Sequence, residues 1–150
     1  MLWLLLGAVL FAADMFAKFL VYTNMSQGDS IPLINGIFHI TYAKNTGAAF
    51  SIFEGNNTIL SIITAVLLIA IVGFLVYKKP SSKILTLALV MIVAGGAGNL
   101  MDRFRFGYVV DFFDFRLINF AVFNTADSFV VIGACLLAIY MLFLDNTNMR

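Results

Sequence analysis

Four long apolar runs constrain this chain more than any other feature: residues 2–22, 58–77, 84–101 and 128–144. A helix that crosses the hydrocarbon core of a bilayer needs about 20 apolar residues, and each run comes near that length. Polar or glycine-rich sequence bounds every run, and no internal repeat of the transporter kind divides the chain. Composition points the same way, because 62% of residues are hydrophobic and 11% charged, which excludes a soluble globular chain. The sequence predicts an all-α membrane protein, with four transmembrane helices in a single domain covering residues 1–150. A net charge of +1 gives no basis for nucleic-acid binding. The lone cysteine, Cys135, lies in an apolar run, so a disulfide framework is excluded and a packing role is expected.

Orientation follows from the short link between the second and third runs. It carries Lys78, Lys79 and Lys83 within residues 78–83, the mark of a cytoplasmic loop. Both termini are then expected inside and the two longer connections outside, although Arg103, Arg105 and Arg116 fall in the second of these. The first run lacks the basic start of a signal peptide, and Asp14 and Lys18 interrupt it, so a retained helix is expected.

Asp14 and Lys18 stand four apart with the acid N-terminal, the favourable order for a helical ion pair. Either the pair neutralises itself near the outer end of the helix, with Lys18 snorkelling, or it braces the active site or contacts lipid headgroups. Residues 23–57 are too polar to span. Residues 30–34 and 37–43 are β-prone, and Asn35-Gly36 between them signals a two-residue hairpin. A small extracytoplasmic β-sheet is therefore expected, with an aromatic and aliphatic face. His39, the only histidine, falls on its polar side and reads as a surface residue. Asn45-Thr46-Gly47-Ala48-Ala49-Phe50 follows, small residues that permit close backbone approach beside an amide that can both donate and accept.

Residues 95–127 hold Asp102, Asp111, Asp114 and Asp127, a heavy acidic load for a chain otherwise almost uncharged. Ionisable groups at a membrane are costly, which makes them functional candidates. Asn99 and Asp102, and again Asn124 and Asp127, are three apart, so on a helix each amide can lie beside its own carboxylate. Asn99 and Arg103 extend the first polar face. In an extended strand Asp111, Phe113 and Phe115 share one side, and Phe112, Asp114 and Arg116 the other. Asp114 thus has a local charge partner and Asp111 has none, which favours Asp111 for chemistry. Asp127 opens the fourth helix, where capping is its simplest role.

Most hydrolytic mechanisms fit poorly. One histidine cannot build a zinc-protease site, no nucleophile elbow is present, and Cys135 lacks a basic partner. A serine paired with Lys18 or Lys44 is open on paper, but no serine stands in a distinctive motif. Paired carboxylates are left, in which one retains a proton and the other activates water. The competing classes are an ion or proton pathway through Asp14, Lys18, Asp102, Arg103 and Asp127, or a structural subunit held together by polar residues.

The stretch GGAGNLMDRFRFGYVVDFFDF, followed by FNTADS, resembles the lipoprotein signal peptidase (signal peptidase II) family of intramembrane aspartyl proteases. The similarity runs from Asp14 to Ser128. Spacing alone permits Asp111 and Asp127 to pair; the resemblance is what identifies them as the catalytic aspartates, in G-x-V-V-D-F and F-N-x-A-D. It further implies supporting or substrate-binding roles for Asp14, Lys18, Asn45, Gly47, Asn99, Asp102, Arg103 and Asn124. Asn45, Gly47, Ala48, Ala49 and Phe50 match the family's N-x-G-A-A-[FW] motif. The departure is at residues 116–122, which end in Ala121-Val122 where a proline-containing approach is expected. The implied substrate is a prolipoprotein bearing a diacylglyceryl-modified cysteine, cut just before that cysteine, with no cofactor and no metal. Membrane lipids are the other expected partners, the chain a monomer in the bacterial cytoplasmic membrane, and the site near its outer face.

Overall fold

The computed structural model describes residues 2–47 and 56–144. Its elements are α1 (Leu2–Asn24), β1 (Ser30–Ile34), β2 (Phe38–Asn45), α2 (Asn57–Lys78), α3 (Lys83–Phe106), β3 (Val109–Phe115) and α4 (Thr125–Ile139). A single 3-10 turn, Arg116–Ile118, follows β3, and a π-helical turn, Tyr140–Leu144, extends α4. Among the described residues four helices are long and apolar enough to cross a membrane, as expected. The helices mostly run past the apolar limits, α3 by five residues at its C-terminal end, because polar Asp102 and Arg103 continue the helix on its inner side. Ser82 accepts the Leu85 N–H to start α3, and Gly107, at φ 77°, ends it with its N–H on the Arg103 carbonyl.

Burial is inverted relative to a water-soluble bundle. Leu4, Ile69 and Val131 are exposed, whereas Asp14, Lys18 and Asp102 are among the most enclosed side chains. Lipid solvates apolar surface as well as a protein core does, so polar groups gather where helices meet. There α3 is central and touches α1, α2 and α4. Its small residues make that possible: a Cβ on Gly95 would stand 2.3 Å from the Ala126 carbonyl oxygen, and one on Gly98 2.3 Å from Asp14 Oδ2. The first neighbour is backbone and cannot retreat without parting α3 from α4, and the second is held in an ion pair with Lys18.

The three strands form an antiparallel sheet in the order β1-β2-β3. β2 carries one extra residue between Ile40 and Ala43, which pair with Phe113 and Asp111. A bulge of this kind re-aims the side chains beyond it. Here it sends Asn45 toward Asp111 while Thr41 turns to Asp114. Val21 from α1 packs with Tyr42, Val110 and Phe112, which fastens the sheet to the helix.

Several local expectations are corrected. The hairpin turn is longer than two residues: the Ile37 N–H closes onto the Ile34 carbonyl, Gly36 takes φ 71°, and pairing resumes at Phe38. His39 is not a surface residue but is 8% exposed, with Ser30 Oγ 3.1 Å from its Nδ1 and the Gly36 N–H donating to its Nε2. Cys135 points outward from α4 and packs nowhere in the core. Ala48, Ala49 and Phe50 lie outside the described residues.

Candidate active site

Asp111 enters the site from β3, 1% exposed. Both of its oxygens accept side-chain amides: Asn45 Nδ2 donates to Oδ2 at 2.9 Å and Asn124 Nδ2 to Oδ1 at 2.6 Å. The Asn45 amide is itself oriented, because its oxygen accepts the Gly47 N–H at 2.9 Å. Neutral donors do not cancel a buried negative charge. Burial, and next the charge of Asp127, push the Asp111 carboxyl up to about 7, against the pull of the two amides.

Asp127 comes from the first turn of α4, part-buried, and belongs to a reciprocal cap. The Asn124 side chain accepts the Asp127 N–H at 2.9 Å, and Asp127 Oδ2 accepts the Asn124 N–H at 3.2 Å. Its other oxygen accepts Asn99 Nδ2 at 2.7 Å. Asn124, 0% exposed, therefore fixes the helix start that carries Asp127 and also touches Asp111 directly. The two N-x-x-D motifs do not behave alike. Asn124 lies beside its own aspartate, but the Asn99 amide crosses to Asp127 and meets Asp102 only through Lys18.

Asp111 and Asp127 both line a cavity of about 810 Å³. Asn45, Gly47, Asn99 and Arg103 line the same space, so the structure brings together six of the ten residues singled out from sequence. Arg103 donates from NH2 to the Gly47 carbonyl at 3.2 Å, tying α3 to the end of β2. Asn124 sits behind the two carboxylates. Asp14, Lys18 and Asp102 do not line the cavity; they form a buried cluster between α1 and α3, with Asp14 Oδ1 accepting the Ala126 N–H of α4 at 2.8 Å. Lys18 is 1% exposed and turned inward, which rules out snorkelling.

An apolar part of the lining is not foreseen from the sequence. It consists of Phe120, Ala121, Val122 and Phe123 with Val130, Val131 and Ile132 of α4. Phe123 is held by paired backbone bonds to Phe113 and by ring stacking on Phe115 at 6.0 Å. The only signal was that Phe120 and Phe123 lie within a loop otherwise lacking a reason to be aromatic. The lining thus combines apolar side chains, polar side chains and two carboxylates in one cavity.

Comparison with known proteins agrees with this architecture. The model of the signal peptidase II family matches residues 6–143. The lipoprotein signal peptidase of Halothermothrix orenii is 47% identical over 131 residues, 85% of this chain and 86% of that protein. That of Clostridioides difficile is 41% identical over 149 residues, 99% of each. A bacterial membrane enzyme solved by the in meso method at 2.3 Å resolution superposes with a TM-score of 0.89 at 35% identity, covering 99% of this chain and 91% of that one. Four spanning helices and this likeness make the protein a multi-pass membrane protein. The chain belongs to the signal peptidase II family, aspartyl proteases that cleave signal peptides from prolipoproteins.

Proposed function

We propose that Asp111 and Asp127 are the catalytic pair, and that the bond they cut precedes a diacylglyceryl-modified cysteine. The observation that carries this is the meeting, in one cavity, of two carboxylates that have amide partners and, among the described residues, no direct ion pair. The two carboxylates share one proton, and we assign it to Asp111, whose carboxyl is raised by burial and by the charge of Asp127. Ionised Asp127 takes a proton from water as that water attacks the scissile carbonyl, while Asp111 donates to the developing oxyanion. Collapse of the tetrahedral intermediate breaks the C–N bond: the proton on Asp127 passes to the departing amine, and the proton lent to the oxygen returns to Asp111 as the carbonyl re-forms. The polar lining (Asn45, Gly47, Asn99 and Arg103) aligns the peptide. The apolar lining from Phe120 to Phe123 and along α4 receives the acyl chains.

Purified protein in detergent should cleave a peptide containing diacylglyceryl-cysteine, and its unlipidated counterpart far more slowly. Turnover insensitive to Asp111→Asn or Asp127→Asn would sink the proposed pairing.

Position in the membrane follows from the lysine loop at the opposite end of α3 from Arg103. With that loop cytoplasmic, both termini are inside and the site lies at the outer face of the bacterial cytoplasmic membrane. A reporter fused at Ser81 then reads cytoplasmic and one at Gly28 external; the reverse pattern inverts the assignment. The chain acts as one peptidase domain and as a monomer, since both carboxylates and the supporting amides come from a single copy. Light scattering in detergent that shows activity only in a dimer would contradict this.

A further inference from the structure

We propose that Lys18 is a positioning residue for Asp127, acting through the side-chain amide of Asn99; this rests on the pairing of Asp111 with Asp127 proposed above. No residue of α1 lines the cavity, so Lys18 has no direct path to a substrate there. Its ammonium has three donors and three acceptors around it: Asp14 Oδ2 at 2.9 Å, Asp102 Oδ2 at 3.1 Å and Asn99 Oδ1 at 2.8 Å. An ammonium only donates, so the Asn99 atom that faces it is the oxygen. Asn124 Nδ2 reaches the same oxygen at 3.1 Å from another direction. Two donors on one oxygen leave the Asn99 NH2 facing away, 2.7 Å from Asp127 Oδ1.

The consequence is a fixed polarity. Turned over, the amide would set its oxygen against the Asp127 carboxylate and its NH2 against the ammonium. Two repulsive contacts would replace two charge-assisted hydrogen bonds. Asp14 and Asp102 hold the ammonium in place from α1 and α3. Asp102 Oδ2 also accepts the Val110 N–H at 3.0 Å, beside Asp111 in β3. Lys18 therefore decides which end of a neighbouring amide Asp127 sees. The plainer alternative is that Lys18 only neutralises two buried carboxylates and braces the helices.

A double-mutant cycle separates the two. Lys18→Met is made together with Asp14→Asn, which spares α1 an orphaned carboxylate and keeps an oxygen for the Ala126 N–H. In the native background this change should lower kcat on the diacylglyceryl-cysteine peptide by roughly 10- to 100-fold, with KM altered less than about threefold. In an Asn99→Leu background the same change should lower kcat less than about threefold further. An equal factor in both backgrounds overturns the proposal. A second readout covers poor folding or activity too low to measure: Lys18→Arg keeps the buried charge but moves its donors. In protein labelled at asparagine nitrogen, that variant should shift or double the Asn99 side-chain NH2 resonance, and an unchanged resonance overturns the proposal. Asp127→Asn is the control. Cleavage by that variant would refute the pairing itself, whereas an inactive Asp127→Asn beside an additive cycle would refute only the role of Lys18.

Discussion

Asp111 and Asp114 stand three residues apart on one strand, and their surroundings drive them in opposite directions. Asp114 is 9% exposed, and burial alone would raise its carboxyl. Hydrogen bonds from Thr41 at 2.6 Å and Arg116 Nε at 2.9 Å, with the Arg116 charge, outweigh that and hold it below the ordinary range. Asp111 receives as many hydrogen bonds, yet its donors are neutral amides and its nearest charged partner in effect is another carboxylate. The number of hydrogen bonds is not what separates them. A carboxylate matched by a cation is a structural tie, and one matched by amides beside a second carboxylate keeps a proton to use.

The largest expected effect tests this contrast at its catalytic end. Asp111→Asn and Asp127→Asn should each lower kcat by at least about a thousandfold, on the scale of losing a general acid or base. Because the two act as a unit, the double variant should be little worse than either single one. Multiplying losses would mean that the carboxylates work separately. Arg103→Lys comes next. The guanidinium spans from α3 to the Gly47 carbonyl, and an ammonium cannot reproduce that reach and direction. About a tenfold loss of kcat/KM is expected, and wild-type kinetics would show the fork geometry to be dispensable. Asp114→Asn should leave cleavage within about threefold and reduce stability by roughly 1 kcal/mol, since the Arg116 side chain is 43% exposed. A severe activity loss without unfolding would place Asp114 in the chemistry.

The smallest effects have opposite signs at the two sites. Asp111 binds a proton in the native state between pH 3.8 and about 7 that the unfolded chain has released, so its contribution to stability falls as pH rises through that window. Asp111→Asn should therefore flatten the fall in thermal stability between those limits. Asp114 contributes stability that is present above pH 3.8 and lost as pH drops toward its lower native value, so Asp114→Asn should blunt acid destabilisation. Matching pH profiles for the two variants would erase the contrast.

Much of this was legible in the sequence, because apolar length specifies spanning helices and the charge pattern isolates Arg116 beside Asp114. The motif resemblance brought Asp111 and Asp127 forward, and the cavity contains both. What the sequence hid was set by tertiary contact. Whether Lys18 snorkels or turns inward depends on what α3 presents to it, and Asp102 and Asn99 lie over 80 residues away in the chain. The partner of the Asn99 amide could not be read from its N-x-x-D spacing, since packing of α4 against Gly95 brings a closer-fitting acceptor. His39 was misjudged because strand alternation reports the polar face of a sheet, not whether Ser30 and the Gly36 turn close over that face. The apolar lining of the cavity escaped notice because Phe123 is placed by pairing with Phe113, a contact no local pattern encodes.

The most direct test of the contrast is the protonation of Asp111 itself. Infrared spectra of the protein in detergent should show a protonated carboxyl band at about pH 6 that disappears with a midpoint near 7, a value belonging to the coupled pair. The component titrating near 7 should persist in Asp114→Asn and be lost or shifted in Asp111→Asn. A fully ionised spectrum at about pH 6, or a band that survives Asp111→Asn unchanged, would contradict the account.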